Sequence, residues 1–166
     1  MDGDSNTILP AYTYVPGGPW PHPNRSKEAG PETVVPRLEE VDGSPLFRRG
    51  VELFDAGYYW EAHEAWEVLW HAAGRRGPTA DVLRGLIKLA AAGIKVRERR
   101  EPGVRTHARR AAECFASARR QAGVHQLGLD LDLWIERALA LAENPPPDPG
   151  PPDAPVTRVF EFRIGE

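Results

Sequence analysis

A chain of 166 residues with 41% hydrophobic content has enough apolar material for one domain with a genuine core, and a second domain is not expected. The single cysteine, Cys114, excludes an intramolecular disulfide framework and a thiolate zinc site, so stability must come from packing and the expected compartment is the reducing cytoplasm. The net charge of -3 gives no global attraction to nucleic acid or anionic lipid, and neither a run of about 18 apolar residues nor a signal-peptide pattern occurs, so no membrane span is expected.

Fifteen of the 17 prolines lie at or before Pro45 or at and beyond Pro145. Proline is incompatible with helix interiors, so the expected organisation is a proline-rich N-terminal arm over 1–44, a helical domain over 45–143, and a proline-rich linker with an extended C-terminal arm over 144–166. The two remaining prolines, Pro78 and Pro102, sit where turns are expected and read as helix starts, because the first helical turn needs no N–H donor from them.

The first helix is predicted from Pro45 to about Ala56, with Leu46, Val51, Leu53 and Phe54 facing inward and Gly57 as its left-handed stop. The second follows after a tight turn, from Tyr58 to about Ala73. The third, from Pro78 to about Arg99, is apolar on most sides through Val82, Leu83, Leu86, Ile87, Leu89, Ala90 and Ile94, which places it at the centre. The fourth, Pro102 to about Ala122, carries Val104, Ala108, Ala111, Phe115 and Ala118 on one face. The fifth starts near Asp130, a suitable N-cap, and continues through Leu131, Leu133, Trp134, Leu139 and Leu141. The fold class is therefore all-α: an antiparallel bundle of about five short helices. The tail Val156 to Ile164 alternates like a strand but lacks a partner strand, so it is expected to wrap the bundle or to pair across a subunit contact in a homo-oligomer.

The second helix carries the chemistry. At 100 degrees per residue, Trp60, His63, Glu64, Glu67, Trp70 and His71 fall within an arc of about 120 degrees. Offsets of three and four residues bring two side chains close enough to share a divalent ion, and His63 with Glu67, Glu64 with Glu67, and Glu67 with His71 all meet that condition. The opposite arc holds Ala62, Ala65, Trp66, Val68 and Leu69, so the competing view of the stripe is the solvent side of an amphipathic helix. His63-Glu64-Ala65-Trp66-Glu67 starts like the H-E-x-x-H zinc-peptidase motif but has Glu67 in place of the second histidine, so it is not that motif. Any further ligand must come from Asp55, His22, His107 or His125. His107 and His125 stand isolated and read as surface or helix-end residues, and Cys114 as a small residue near the core.

On the third helix Arg84, Lys88, Lys95 and Arg99 lie within about 60 degrees of one another. Two roles compete for this basic row: direct ion pairing with Glu64 and Glu67, or capture of an anionic small molecule such as a phosphate or carboxylate beside them. Residues 97–120 hold eight arginines against three glutamates, yet only Phe115 interleaves them, so base stacking is poorly supported and nucleic acid is not the expected partner.

The run FDAGYYWEAHEAWEVLW, followed by GLIKLAAAGIK and by Gly103 opening the next helix, resembles the family known as domain of unknown function 309 over about Leu46 to Glu143. The resemblance implies a helical bundle, and some members are labelled predicted metal-dependent hydrolases. It also implies that Glu61, His63, Glu64, Glu67, Trp70 and Gly85 occupy the pattern's hallmark positions. The string YVPGGPWPHP looks like an arm of some relatives, which would bring His22 to the same surface. The chain departs from the pattern at Ile94-Lys95, where a histidine is common, and His71 is not a typical family position.

Two functions follow as expectations. One is a metal-dependent hydrolase in which His63, Glu64 and Glu67 hold a divalent ion and Glu64 or Glu67 acts as general base. The other is a non-catalytic binding module for a ligand or protein, with the stripe locked to the third helix by ion pairs.

Overall fold

The computed structural model describes residues 8–23, 41 and 43–165. Ser44 starts the first helix: its hydroxyl accepts the Phe47 N–H at 3.1 Å and Pro45 fills the first turn, so α1 runs Pro45–Asp55. Gly57, at φ +95°, turns the chain in a conformation that glycine adopts without strain. α2 then spans Tyr59–Ala72, and α3 spans Pro78–Arg97. α4 runs Glu101–Ala122 and α5 Leu131–Glu143, the latter capped by the Asp130 carboxylate, which accepts the backbone N–H groups of Asp132 and Leu133. Every helix boundary predicted from the sequence falls within two residues of the observed one.

Between α4 and α5 lies an element not anticipated: a two-stranded antiparallel hairpin of β1, His125–Gln126, and β2, Leu129–Asp130. Leu127 and Gly128 make its turn, both at positive φ.

Each helix packs on its neighbours in chain order, with α3 buried along most of its length through Val82, Leu83, Leu86, Leu89 and Ala90. The expected inward set of α1 is corrected at its start. Phe47 is buried with Leu53 and Phe54, whereas Leu46 and Val51 only border the core. α3 and α4 are antiparallel and in a readable register. Ser117 Oγ donates to Asp81 Oδ2 at 2.8 Å, a Cβ on Gly85 would meet the Phe115 ring at 2.5 Å, and a Cβ on Gly103 would meet Lys95 Cδ at 2.9 Å. Gly85 therefore lets the two helices close over Phe115, which is fully buried.

The tail does not form a strand among the described residues; it wraps the bundle. Phe160 packs on Phe54 and Tyr59 at ring separations of 5.7 and 5.2 Å. Val159 N–H donates to the Tyr59 hydroxyl at 2.9 Å, and the Asp55 carboxylate accepts the N–H groups of Ile164 and Gly165 at 2.7 and 2.9 Å. The N-terminal arm docks alongside, with Thr13 N–H on the Pro155 carbonyl at 3.0 Å and Tyr58 Oη on that of Pro10 at 2.7 Å. The rest of the arm predicted over 1–44 lies outside the described residues. Among those described, no helix is long and apolar enough to cross a membrane.

Candidate functional site

α2 divides lengthwise. Ala62, Trp66 and Leu69 have no solvent exposure, because their face is pressed between α1 and α3. The adjoining face forms a rim that is only partly covered: the side chains of His63, Glu64 and Glu67 are 26%, 33% and 39% exposed. That intermediate burial suits side chains that are fixed by their surroundings yet reachable by a ligand.

Each of these three residues offers one ligand atom, and the three atoms lie within 4.8 Å of one another. His63 Nδ1 stands 3.8 Å from Glu67 Oε2 and 4.0 Å from Glu64 Oε1. The spacing follows from the helix itself, since Glu67 falls beside both His63, four positions back, and Glu64, three positions back. His71 stays at the edge of the group. Its Nε2 is 3.9 Å from Glu67 Oε1, but its Nδ1 accepts the Arg75 Nε–H at 2.8 Å and its side chain is 44% exposed. With Nδ1 accepting, the remaining ring proton is on Nε2, toward Glu67.

Beside the group lies a cleft of about 380 Å³ lined by His63, Glu67 and Trp70 of α2 and by Arg84, Ile87 and Lys88 of α3. Trp70 forms part of its wall, and its buried Nε1–H has no hydrogen-bond partner among the described residues. Arg84 and Lys88 thus stand where the basic row was expected, but they do not pair with the acids. Among the described residues, no α3 cation comes to ion-pair distance of Glu64 or Glu67. Lys95 instead pairs with Glu98 at 2.9 Å and lies outside the cleft lining, and Arg99 is exposed past the end of α3.

Trp60 ties the arm to the site. It stacks on His63 with centroids 6.0 Å apart, and meets Tyr14 and His22 edge-on at 4.6 and 5.6 Å. His22 therefore reaches this surface, as the arm resemblance implied. Glu61 holds the arm there: Thr13 Oγ1 donates to Oε2 at 2.7 Å and Tyr14 N–H to Oε1 at 3.1 Å. Burial pushes the Glu61 carboxyl above its usual range, and these two hydrogen bonds pull against that.

The sequence reading missed His107. Expected at the surface or a helix end, it is half-buried on α4, and its buried Nδ1 has no hydrogen-bond partner among the described residues. Burial, then the nearby cations Lys88, Lys95 and Arg110 and the His63 ring, push it down to about 4, so it is neutral at pH 7. The signal was available: Val104, His107, Ala108 and Ala111 share one helical face, and their spacing of three, four and seven marks the packed side. Asp55 is committed to the tail, and His125 is exposed on the hairpin.

The family model described as Domain of unknown function (DUF309) matches residues 47–107. This segment is a DUF309 domain. It contains the hallmark positions from Glu61 to Gly85, while the YVPGGPWPHP string lies outside it. No curated protein and no solved structure matches the chain. Within the DUF309 segment those positions have separable physical roles. Glu61 anchors an arm, Gly85 admits Phe115, Trp70 walls a cleft, and His63, Glu64 and Glu67 form the one group among the described residues with the donors for an ion.

Proposed function

We propose that the DUF309 segment is a metal-dependent hydrolase acting on a small anionic substrate in the cytoplasm, with His63, Glu64 and Glu67 as the residues that hold a divalent ion. The observation that carries this reading is the convergence of one imidazole and two carboxylates within 4.8 Å at the mouth of a cleft. The donor set fits. Ligand bonds of about 2.1 Å keep two donors on one ion within about 4.2 Å of each other, a separation that small rotations of the flexible glutamates reach. Imidazole with carboxylate suits a borderline ion such as zinc or manganese. When bound, such an ion supplies Lewis acidity and lowers the pKa of water.

The remaining work belongs to the chain. Glu67 lines the cleft between His63 and His71 and is the carboxylate placed to take a proton from a bound substrate or water, with Glu64 beside it as a further oxygen ligand. Arg84 and Lys88 line the same cleft as Glu67 and would fix the anionic end of the substrate, while Trp70 offers an apolar wall to the rest of it. The absence of α2–α3 ion pairs among the described residues supports this assignment, because cations neutralised by Glu64 and Glu67 could not serve a ligand.

The test is calorimetric titration of the full chain with Mn²⁺ and Zn²⁺, paired with hydrolysis of p-nitrophenyl phosphate. One ion per chain is expected, weakened at least roughly tenfold in His63→Ala, with hydrolysis lost in the same variant. Absence of saturable ion binding in the parent protein would remove the basis of the proposal.

A further inference from the structure

The register of α3 against α4 extends the site beyond the cleft. Asp81 faces Ser117, Gly85 faces Phe115, and Lys95 faces Gly103. The residues between are then fixed: Lys88 is level with Arg110 and Ala111, and His107 lies between the levels of Lys88 and Lys95. On α4, His107 and Arg110 are three residues apart and share a face. On α3, Arg84 and Lys88 are four apart and line the cleft. Three cations therefore gather on adjoining turns of two helices. Among the described residues none of the three has an ion pair or hydrogen bond, although carboxylates pair elsewhere on the same helices, as in Lys95 with Glu98 and Arg105 with Glu101. Their mutual repulsion registers at Lys88, where burial and then Arg84 and Arg110 push the ammonium below its usual range.

Like charges held together with no ion-paired carboxylate among the described residues cost stability, and a fold that keeps them points to an anion that neutralises them. One guanidinium neutralises the single charge of a carboxylate through a bidentate pair, so three cations exceed what a carboxylate's charge calls for. They match the three terminal oxygens of a phosphate monoester, whose charge is about -2 at neutral pH. His107, neutral among these cations, adds a ring N–H donor without adding charge.

We infer that Arg84 and Lys88 of α3, with Arg110 and His107 of α4, form a subsite for the dianionic phosphate of a monoester. This deepens the proposed function, resting on its anionic substrate and naming the class. The ester linkage then lies over the cleft, toward Glu67.

The probes are inorganic phosphate and dimethyl phosphate, titrated calorimetrically into the full chain and into Arg110→Gln, Lys88→Gln and Arg120→Gln. Arg110 and Arg120 are both exposed on α4, so their replacement leaves the core intact. Expected are one phosphate per chain, affinity weakened roughly tenfold in Arg110→Gln and in Lys88→Gln, and Arg120→Gln within about twofold of the parent. Dimethyl phosphate, a monoanion without terminal oxygens to spare, is expected to bind at least roughly tenfold more weakly than phosphate. An Arg110→Gln protein that binds phosphate like the parent, or equal affinity for the two probes, overturns the subsite. Mn²⁺ titrated into the same samples separates the two proposals. Ion binding without phosphate binding overturns the subsite alone, and phosphate binding without ion binding overturns the metal reading while supporting the subsite.

Discussion

The two faces of α2 are built from one fourteen-residue segment and answer to different constraints. The face bearing Ala62, Trp66 and Leu69 is wholly dry, and Gly50 on α1 has no side chain because the Trp66 indole occupies that space. The rim bearing His63, Glu64 and Glu67 is only partly covered, with His63 stacked on Trp60, and its polar groups converge. Packing accounts for the first face and only in part for the second. That polar convergence is the basis of the proposed ion site.

Substitutions on the two faces should therefore separate cleanly. The largest effect is expected from Trp66→Ala, which leaves a cavity in the core and should cost about 3–5 kcal/mol in urea-unfolding experiments. Gly85→Ala should cost about 1–3 kcal/mol, because the new methyl meets the Phe115 ring and α3 must move off α4. Asp55→Ala removes the acceptor for two backbone N–H groups of the tail, a loss of roughly 1–3 kcal/mol that limited proteolysis after Phe162 would report before global unfolding does. At the rim, His63→Ala and Glu67→Gln should cost no more than about 1 kcal/mol of stability while weakening ion binding at least roughly tenfold. A rim substitution as costly as Trp66→Ala would erase the distinction between the faces.

Acid sharpens the same comparison. His107 is held near 4 in the folded chain against 6.5 for an ordinary histidine, so the unfolded chain binds a proton over that interval and the folded chain does not. Its contribution is complete above pH 6.5 and is lost as pH falls toward 4. The groups facing it are Lys88, Lys95, Arg110 and His63, all of which oppose its protonation. The melting temperature should fall across that window in the parent, and His107→Gln should flatten the fall. An unchanged pH profile in that variant would assign the acid sensitivity elsewhere.

Much of the bundle was legible because local signals agreed with the global fold. Ser44-Pro45, Gly57 and Asp130 are terminators whose chemistry acts within a few residues, and they place α1 and α5 closely. The hairpin was not legible, since two residues per strand carry no periodicity and Leu127 takes a positive φ that its side chain does not advertise. Nor was the docking of the arms. Thr13 to Glu61 and Ile164 to Asp55 are contacts 48 and 109 residues apart, and a hydroxyl or carboxylate in a sequence does not name so distant a partner. At the site, helical period placed His63, Glu64 and Glu67 together correctly, because all three lie on one helix. It could not say that Arg84 and Lys88 would stay unpaired, which depends on how α2 sits against α3. His107 was legible and overlooked, because it was weighed as an isolated histidine rather than by its face.

The most direct measurement is anomalous diffraction from a crystal of the full chain soaked in Mn²⁺. A single strong peak bounded by His63, Glu64 and Glu67 is the predicted result. A crystal with those three side chains in clear density and no peak among them, or with ions only at sites remote from α2, would contradict it.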